Sequence, residues 1–196
     1  VAPNEQSVLL ESGEVLPYDV LLLATGGRPK HLPGTEGLAQ VYNFQTLDDA
    51  RAIDAQIERS DRAVTIGGSY ISYELTEAFR SRGLQTTWLM RGPRFLRTVL
   101  DADGGRLVDA IAAAHGVRVV HGVDIAEVRG EGGVPREVVT TDGETFSADF
   151  VGLGVGITRN IDFLAGSGIV THQGIVADEY LRTNVPNVYT AGDVAE

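Results

Sequence analysis

The segment from Ala63 to Gly83 constrains this chain more than any other. Ala63-Val64-Thr65-Ile66 has the apolar texture of a strand and runs straight into Gly67-Gly68-Ser69. Tyr70 to Arg82 then carries a helical pattern that Gly83 closes at the C′ position. A strand that turns on glycine and opens a helix aims free N–H groups and the positive end of the helix dipole at the space beyond the strand, where a pyrophosphate can sit. This is the context a dinucleotide fingerprint requires. Gly67 allows the tight turn. In the G-x-G-x-x-G/A spacing the second and third small positions fall on Ser69 and Ser72. Ser72 is small enough for close helix–strand contact. Ser69 is the departure, because its side chain stands where backbone would approach phosphate; it either narrows the site or offers its hydroxyl to the phosphate. Glycines can also be kept at such a turn for packing alone, so the segment by itself leaves cofactor binding and plain structure both open.

The flanking segments extend the pattern. Thr46-Leu47-Asp48-Asp49 opens a helix with a Thr cap and acids in its first turn, and Ala50, Ile53 and Ile57 share a face. Thr86 to Met90 reads as a strand, Asp103 to His115 as a helix closed by Gly116, and Arg118-Val119-Val120 as a strand. The texture then changes. Ile125 to Val128, Glu137 to Thr140 and Thr145 to Ser147 read as an antiparallel meander with turns at Gly130 to Pro135 and at Asp142-Gly143. Asp149 to Gly156 is a final buried strand. Upstream, Ser7 to Leu16 reads as a hairpin around Ser12-Gly13. The apolar run from Asp19 to Thr25 reads as a strand buried on both faces, stopped by Gly26-Gly27-Arg28-Pro29. The order β-α-β-α-β, meander, β predicts an α/β fold, a Rossmann-like dinucleotide-binding domain with an inserted antiparallel β-meander.

Composition removes several classes of function. The net charge of −11 is the opposite of a nucleic-acid footprint and suits a soluble, cytoplasmic protein. With no cysteine there is no disulfide, thiolate metal site or redox-active cysteine pair in these residues. No apolar run approaches the roughly 20 residues of a membrane helix. His31, His115, His121 and His172 show no metal spacing and read as surface or capping residues, and Trp88 reads as core. The opening Val1-Ala2-Pro3-Asn4-Glu5 has neither an initiator Met nor the basic stretch of a signal peptide. The chain is expected to be an internal piece of a longer protein.

Four motifs in order carry a resemblance. Tyr18-Asp19-Val20-Leu21-Leu22-Leu23-Ala24-Thr25-Gly26-Gly27-Arg28-Pro29 resembles the YDxLLLATGxxP segment of the FAD-dependent pyridine nucleotide-disulfide oxidoreductases. The glycine turn at Gly67 is the second. Val151 to Asn160 is similar to the family's GxGxxPN element, with Arg159 where proline usually stands. Asn184-Val185-Pro186-Asn187-Val188-Tyr189-Thr190-Ala191-Gly192-Asp193-Val194 resembles its second FAD motif, TxxPxVYAxGD.

The resemblance implies a nicotinamide domain inserted into a flavin domain. Residues 1–46 and 163–196 would be parts of the FAD-binding domain and 47–162 the NAD(P)H-binding domain. It implies an oxidoreductase that takes hydride from NAD(P)H onto FAD and delivers electrons to an acceptor such as a redox protein, with a homodimer for the complete protein. The isolated piece would be inactive. Gly67, Gly68, Ser69, Tyr70, Ile71 and Gly154 would hold the nicotinamide dinucleotide, while Thr25, Gly26, Gly192 and Asp193 would contact FAD. Tyr70 would gate the flavin face and Glu74 would lie by the nicotinamide amide; the plainer reading is that Tyr70 packs and Glu74 is solvated. Past the second strand the coenzyme-reading position falls on Met90, a poor acceptor for ribose hydroxyls, followed by Arg91, Arg94 and Arg97. That favours NADP over NAD. The alternatives are a non-catalytic NAD(P)-binding or sensing module with a degenerate fingerprint, and a scaffold that binds no dinucleotide.

Overall fold

A computed structural model describes residues 1–35 and 37–196. In chain order its principal elements are β1 (Ser7–Leu9), β2 (Val15–Pro17), β3 (Leu21–Leu23), β4 (Gly27–Pro29), β5 (Val41–Asn43), α1 (Leu47–Ile57), β6 (Arg62–Ile66), α2 (Tyr70–Ser81) and β7 (Gln85–Met90). They continue with α3 (Ala102–Ala114), β8 (Arg118–His121), β9 (Ile125–Glu131), β10 (Val134–Thr140), β11 (Thr145–Ser147), β12 (Phe150–Leu153), β13 (Ile157–Arg159) and β14 (Val188–Thr190). The chain divides into two compact units, Pro29–Gly156 and Val1–Arg28 with Ile157–Glu196.

In the unit Pro29–Gly156 a five-stranded sheet runs β5-β12-β6-β7-β8 with every pair parallel. Strand alternation sorts its side chains to two faces. Val64, Ile66, Leu89, Val151 and Leu153 meet Val128, Val138 and Phe146 of the meander β11-β10-β9. Ala63 and Phe150 meet Ile53 and Ile57 of α1 and Leu75 and Phe79 of α2. Phe79 and Phe150 are fully buried and stack edge to face at 4.8 Å. Truncating either to Ala would cost about 3–5 kcal/mol. Trp88, Met90, Phe95 and Val117 form a further cluster, against which Val108 and Ala112 of α3 pack. Sheet, helices and meander make the Rossmann-like α/β fold with its antiparallel insertion.

The local sequence explains the boundaries. Thr46 caps α1 by accepting from the Asp49 amide at 3.1 Å while Asp49 accepts from the Thr46 amide at 2.7 Å. Asp101 caps α3 by accepting from Gly104. β9 and β10 join through Gly132-Gly133, both at positive φ, the geometry a tight hairpin needs.

In the other unit β1 and β2 form an antiparallel hairpin, β3 pairs in parallel with β14, and β4 pairs with β13. Leu23, Val188, Ile175 and Val194 form its core. The run from Asp19 to Thr25 is not buried on both faces. Leu23 is buried, but Val20 is 62% and Leu22 59% exposed. A strand is covered twice only when a layer lies on each side, and among the described residues the apolar cluster lies on one side of β3. Strand β5 had no reading in the sequence, and it places Val41–Asn43 within the parallel sheet.

Candidate functional site

The carboxyl ends of β6, β7 and β12 converge on the glycine turn, the place in an open parallel sheet where ligands bind. Gly67 sits at φ +130°, and a Cβ there would stand 2.2 Å from the Gly154 carbonyl oxygen. A Cβ on Gly154 would in turn stand 2.5 Å from the Ser72 amide nitrogen. The tight contact is therefore a three-way one between turn, last strand and helix start. Gly68 has no such demand, since a Cβ there meets nothing nearer than Met90 at 3.6 Å.

Hydrogen bonds fix the turn. The Gly67 amide donates to Leu89 O at 2.9 Å, and the Trp88 indole donates to Gly67 O at 2.7 Å. The Ser69 hydroxyl donates to Gly154 O at 2.8 Å. Ser72 Oγ accepts from the Ser69 amide at 2.9 Å and donates to Ser69 O at 2.7 Å. The amides of Tyr70 and Ile71 lie in the first turn of α2, where no carbonyl of the helix can receive them.

Beside the turn opens a cleft of about 460 Å³. Of the sequence-predicted residues it brings together Gly67, Gly68, Ser69, Arg91, Arg97 and Gly154, with Arg94. The sequence reading missed Leu32, Ile66, Gly92, Val123, Asp124, Ile125, Val155 and Gly156 as site residues, and these complete its walls. Only position could have found them: each follows the carboxyl end of a strand or neighbours one that does. Arg91 lies 3.9 Å from Asp124, with both side chains largely exposed. The Arg94 guanidinium is spent inside its own loop, donating to Leu100 O at 2.8 Å and Arg97 O at 3.0 Å.

Four of the residues predicted for the nicotinamide coenzyme lie outside the lining of this cleft. Met90 is fully buried among Trp88, Phe95 and Val117. Tyr70 is 60% exposed with its ring edge-on to Phe95 at 6.3 Å. Glu74 is exposed, and Ile71 packs against the α1–α2 core.

The other unit carries a second pair of turns. Thr25-Gly26 follows β3 and Gly192-Asp193 follows β14, so both stand at the same end of a parallel pair. Gly26 and Gly192 have φ of +60° and +77°, and open space lies where a Cβ would be. Asp193 is exposed, and among the described residues its carboxylate has no partner. Two glycine turns with free space and an unspent carboxylate fit a hydroxyl-rich chain such as the ribityl of a flavin. The cleft, with its helix-start amides and guanidinium groups, fits a pyrophosphate.

Three of the four histidines have partners within the fold. His31 meets Asn43 at 3.2 Å, His115 meets Ile111 O at 2.8 Å, and His121 meets Asp109 at 2.9 Å. No helix among the described residues is long and apolar enough to cross a membrane.

A family model described as pyridine nucleotide-disulphide oxidoreductase matches residues 1–196. The chain is 31% identical over 198 residues to putidaredoxin reductase CamA of Pseudomonas putida, covering 98% of this chain and 47% of that protein. It is 32% identical over 191 residues to the ferredoxin–NAD(+) reductase component of the biphenyl dioxygenase system of Paraburkholderia xenovorans, covering 97% and 47%. The crystal structure of the ferredoxin reductase for the CYP199A2 system from Rhodopseudomonas palustris superposes with a TM-score of 0.94 at 30% identity, covering 100% of this chain and 49% of that one. The chain thus spans about half the length of these relatives.

Proposed function

The chain belongs to the pyridine nucleotide-disulphide oxidoreductase family, and from that premise we propose that it is the nicotinamide-binding part, with portions of the flavin-binding part, of an FAD-dependent NAD(P)H oxidoreductase. The observation that carries this reading is the cleft at the carboxyl ends of β6, β7 and β12, walled by the Gly67–Gly154 contact on one side and arginines on the other.

When bound, the nicotinamide supplies a hydride and the flavin ring accepts it. The residues of this chain bind and orient. In the proposed arrangement the amides at the start of α2 receive the pyrophosphate, while Gly67 and Gly154 keep that end of the helix close to the strand ends. Arg91 and Arg97 receive the adenosine end of the dinucleotide. Tyr70 and Glu74, on the exposed side of α2, face the reacting rings. Thr25, Gly26, Gly192 and Asp193 take the ribityl and phosphate of FAD. Residues 1–46 and 163–196 would then serve the flavin and 47–162 the nicotinamide coenzyme, with the end of that stretch, from Ile157, packing in the unit of the flavin turns.

The acceptor is proposed to be a small redox protein, since relatives include reductases named for ferredoxins and putidaredoxin. The complete protein is proposed to be a cytoplasmic homodimer. NADPH is the proposed donor, on the strength of the arginines. NADH is the second reading, favoured by the Arg91–Asp124 pair and by relatives named for NAD(+). The test is anaerobic titration of the full-length protein with NADPH and with NADH. A yellow protein bleached by either supports the reading, and a colourless protein that binds neither overturns it. The isolated chain is expected to purify colourless and without turnover.

A further inference from the structure

We propose that Arg159 and Asn160 are positioning residues that clamp the two flavin-facing turns to each other, with Arg159 doing by hydrogen bonds what no proline at that place could do. This rests on the reading of Thr25-Gly26 and Gly192-Asp193 as the flavin turns.

The two turns follow strands that share a ladder of only three residue pairs, Leu21 to Leu23 against Val188 to Thr190. So short a ladder leaves the loops beyond it weakly determined. Asn160 secures the first. Its amide donates to Gly26 O at 3.0 Å, and its carbonyl accepts the Thr25 hydroxyl at 3.0 Å. Its side-chain Nδ2 donates to Thr25 O at 2.9 Å, and its Oδ1 accepts from Arg28 at 3.2 Å. The orientation of that amide is dictated by its partners, because a guanidinium only donates and a carbonyl only accepts. One residue thus meets the turn through three hydrogen bonds and the strand after it through a fourth.

Arg159 secures the second. Its Nε donates to Asp193 O at 2.7 Å and its Nη1 to Gln173 O at 3.4 Å. Room for its stem is built in. A Cβ on Gly174 would stand 2.8 Å from Arg159 Cδ and 2.6 Å from Val194 O. Adjacent residues leaving an extended segment point to opposite sides, so Arg159 and Asn160 can reach different turns from one short stretch of chain. The Asp193 main chain is then held while its carboxylate stays free, which is what a group waiting for a ligand needs. A proline at this position has no side-chain donor and could make neither bond to Asp193 nor to Gln173.

The test uses the full-length protein as Arg159→Met, Arg159→Lys and Asn160→Ala variants. The flavin-free protein is titrated with FAD by fluorescence quenching, and the visible flavin spectrum, the melting temperature of the flavin-free form and the dissociation constant for NADPH are recorded alongside. Loss of a charged hydrogen bond predicts about tenfold weaker FAD binding for Arg159→Met. The Lys variant should recover most of that loss, NADPH binding should be unchanged, and the flavin bands should shift in the Met and Ala variants. FAD affinity equal to wild type in both Arg159→Met and Asn160→Ala overturns the clamp. So does a loss shared by the Met and Lys variants that tracks a lowered melting temperature of the flavin-free form, which would mark a purely structural arginine. A wild-type protein that takes up no flavin overturns the functional reading first, and the clamp with it.

Discussion

The Ser69 hydroxyl donates to the carbonyl of Gly154 at 2.8 Å, across the gap between the start of α2 and the end of β12. The serine that breaks the dinucleotide spacing is therefore already engaged with the strand that the helix packs against. Its hydroxyl proton is spent on a carbonyl, not left for a phosphate. Ser69→Ala should lower stability by about 1 kcal/mol, the net worth of a neutral hydrogen bond. Dinucleotide affinity should change by well under the tenfold that about 1.4 kcal/mol represents. Thermal melts and an NADPH titration check both. A loss of tenfold or more in affinity would mean that the hydroxyl turns to the ligand.

Three glycines near that bond should answer differently to alanine. At Gly67 and Gly154 a methyl group collides with backbone, at 2.2 Å from Gly154 O and 2.5 Å from the Ser72 nitrogen respectively. Gly67 is strained as well, because its φ of +130° disfavours any side chain. Each substitution should cost about 1–3 kcal/mol, at about 2–4 °C in melting temperature per kcal/mol, and should weaken NADPH binding. Gly68→Ala meets ordinary contact distances and should leave the melt unchanged. Equal melts for all three variants would contradict the three-way contact.

The helices and the central strands were legible because their signals are local. Gly83 and Gly116 at positive φ, Thr46 as a cap, and the apolar blocks at Val64, Leu89 and Val151 need no knowledge of neighbours. The glycine turn was legible as a turn between strand and helix for the same reason. What required the fold was coverage. Leu22 is as apolar as Leu23, yet one is exposed and the other buried, because that depends on what packs beyond the strand. The three residues of β5 have no alternation to read. Asp124 and Val155 are ordinary residues that become cleft walls only when separate strand ends converge. Arg94 shows the converse: the sequence grouped it with Arg91 and Arg97, and the structure turns its guanidinium back onto its own loop.

Asp149 should give the central unit an acid-sensitive component of stability. Partial burial pushes its carboxyl upward, but the Arg62 guanidinium and the amides of Asp61 and Arg62 outweigh that, and the net shift is below the ordinary carboxylate value. A lowered folded pKa means stability that is complete above the unfolded pKa near 3.8 and lost as pH falls through the lower folded value. Asp149→Asn should therefore be less stable than wild type at neutral pH, with the gap closing as the solution is acidified below that range. Urea melts at neutral and acid pH measure it. A gap that stays constant with pH would assign the loss to shape and not to charge.

The loop after β7 should set the choice between NADPH and NADH, and its three arginines should not be equivalent. Arg94 holds the loop by its bonds to Leu100 O and Arg97 O, and its stem lies against α3, where a Cβ on Gly105 would stand 2.8 Å from Arg94 Cβ. Arg94→Ala should lower the melting temperature and weaken both coenzymes alike. Arg91 is free to move, because its pairing with Asp124 is long, at 3.9 Å, and exposed, and such pairs are worth little. A 2′-phosphate offers it paired, charge-assisted hydrogen bonds worth more than that contact. Arg91→Ala and Arg97→Ala should each raise KM for NADPH about tenfold while leaving KM for NADH and the melting temperature unchanged. Asp124→Asn should move preference further toward NADPH by removing a negative charge beside the place of the 2′-phosphate. Steady-state KM values for the two coenzymes in the full-length protein decide it: a wild type that favours NADH, with an Arg91→Ala variant that leaves NADPH use untouched, would show that this loop does not read the 2′-phosphate.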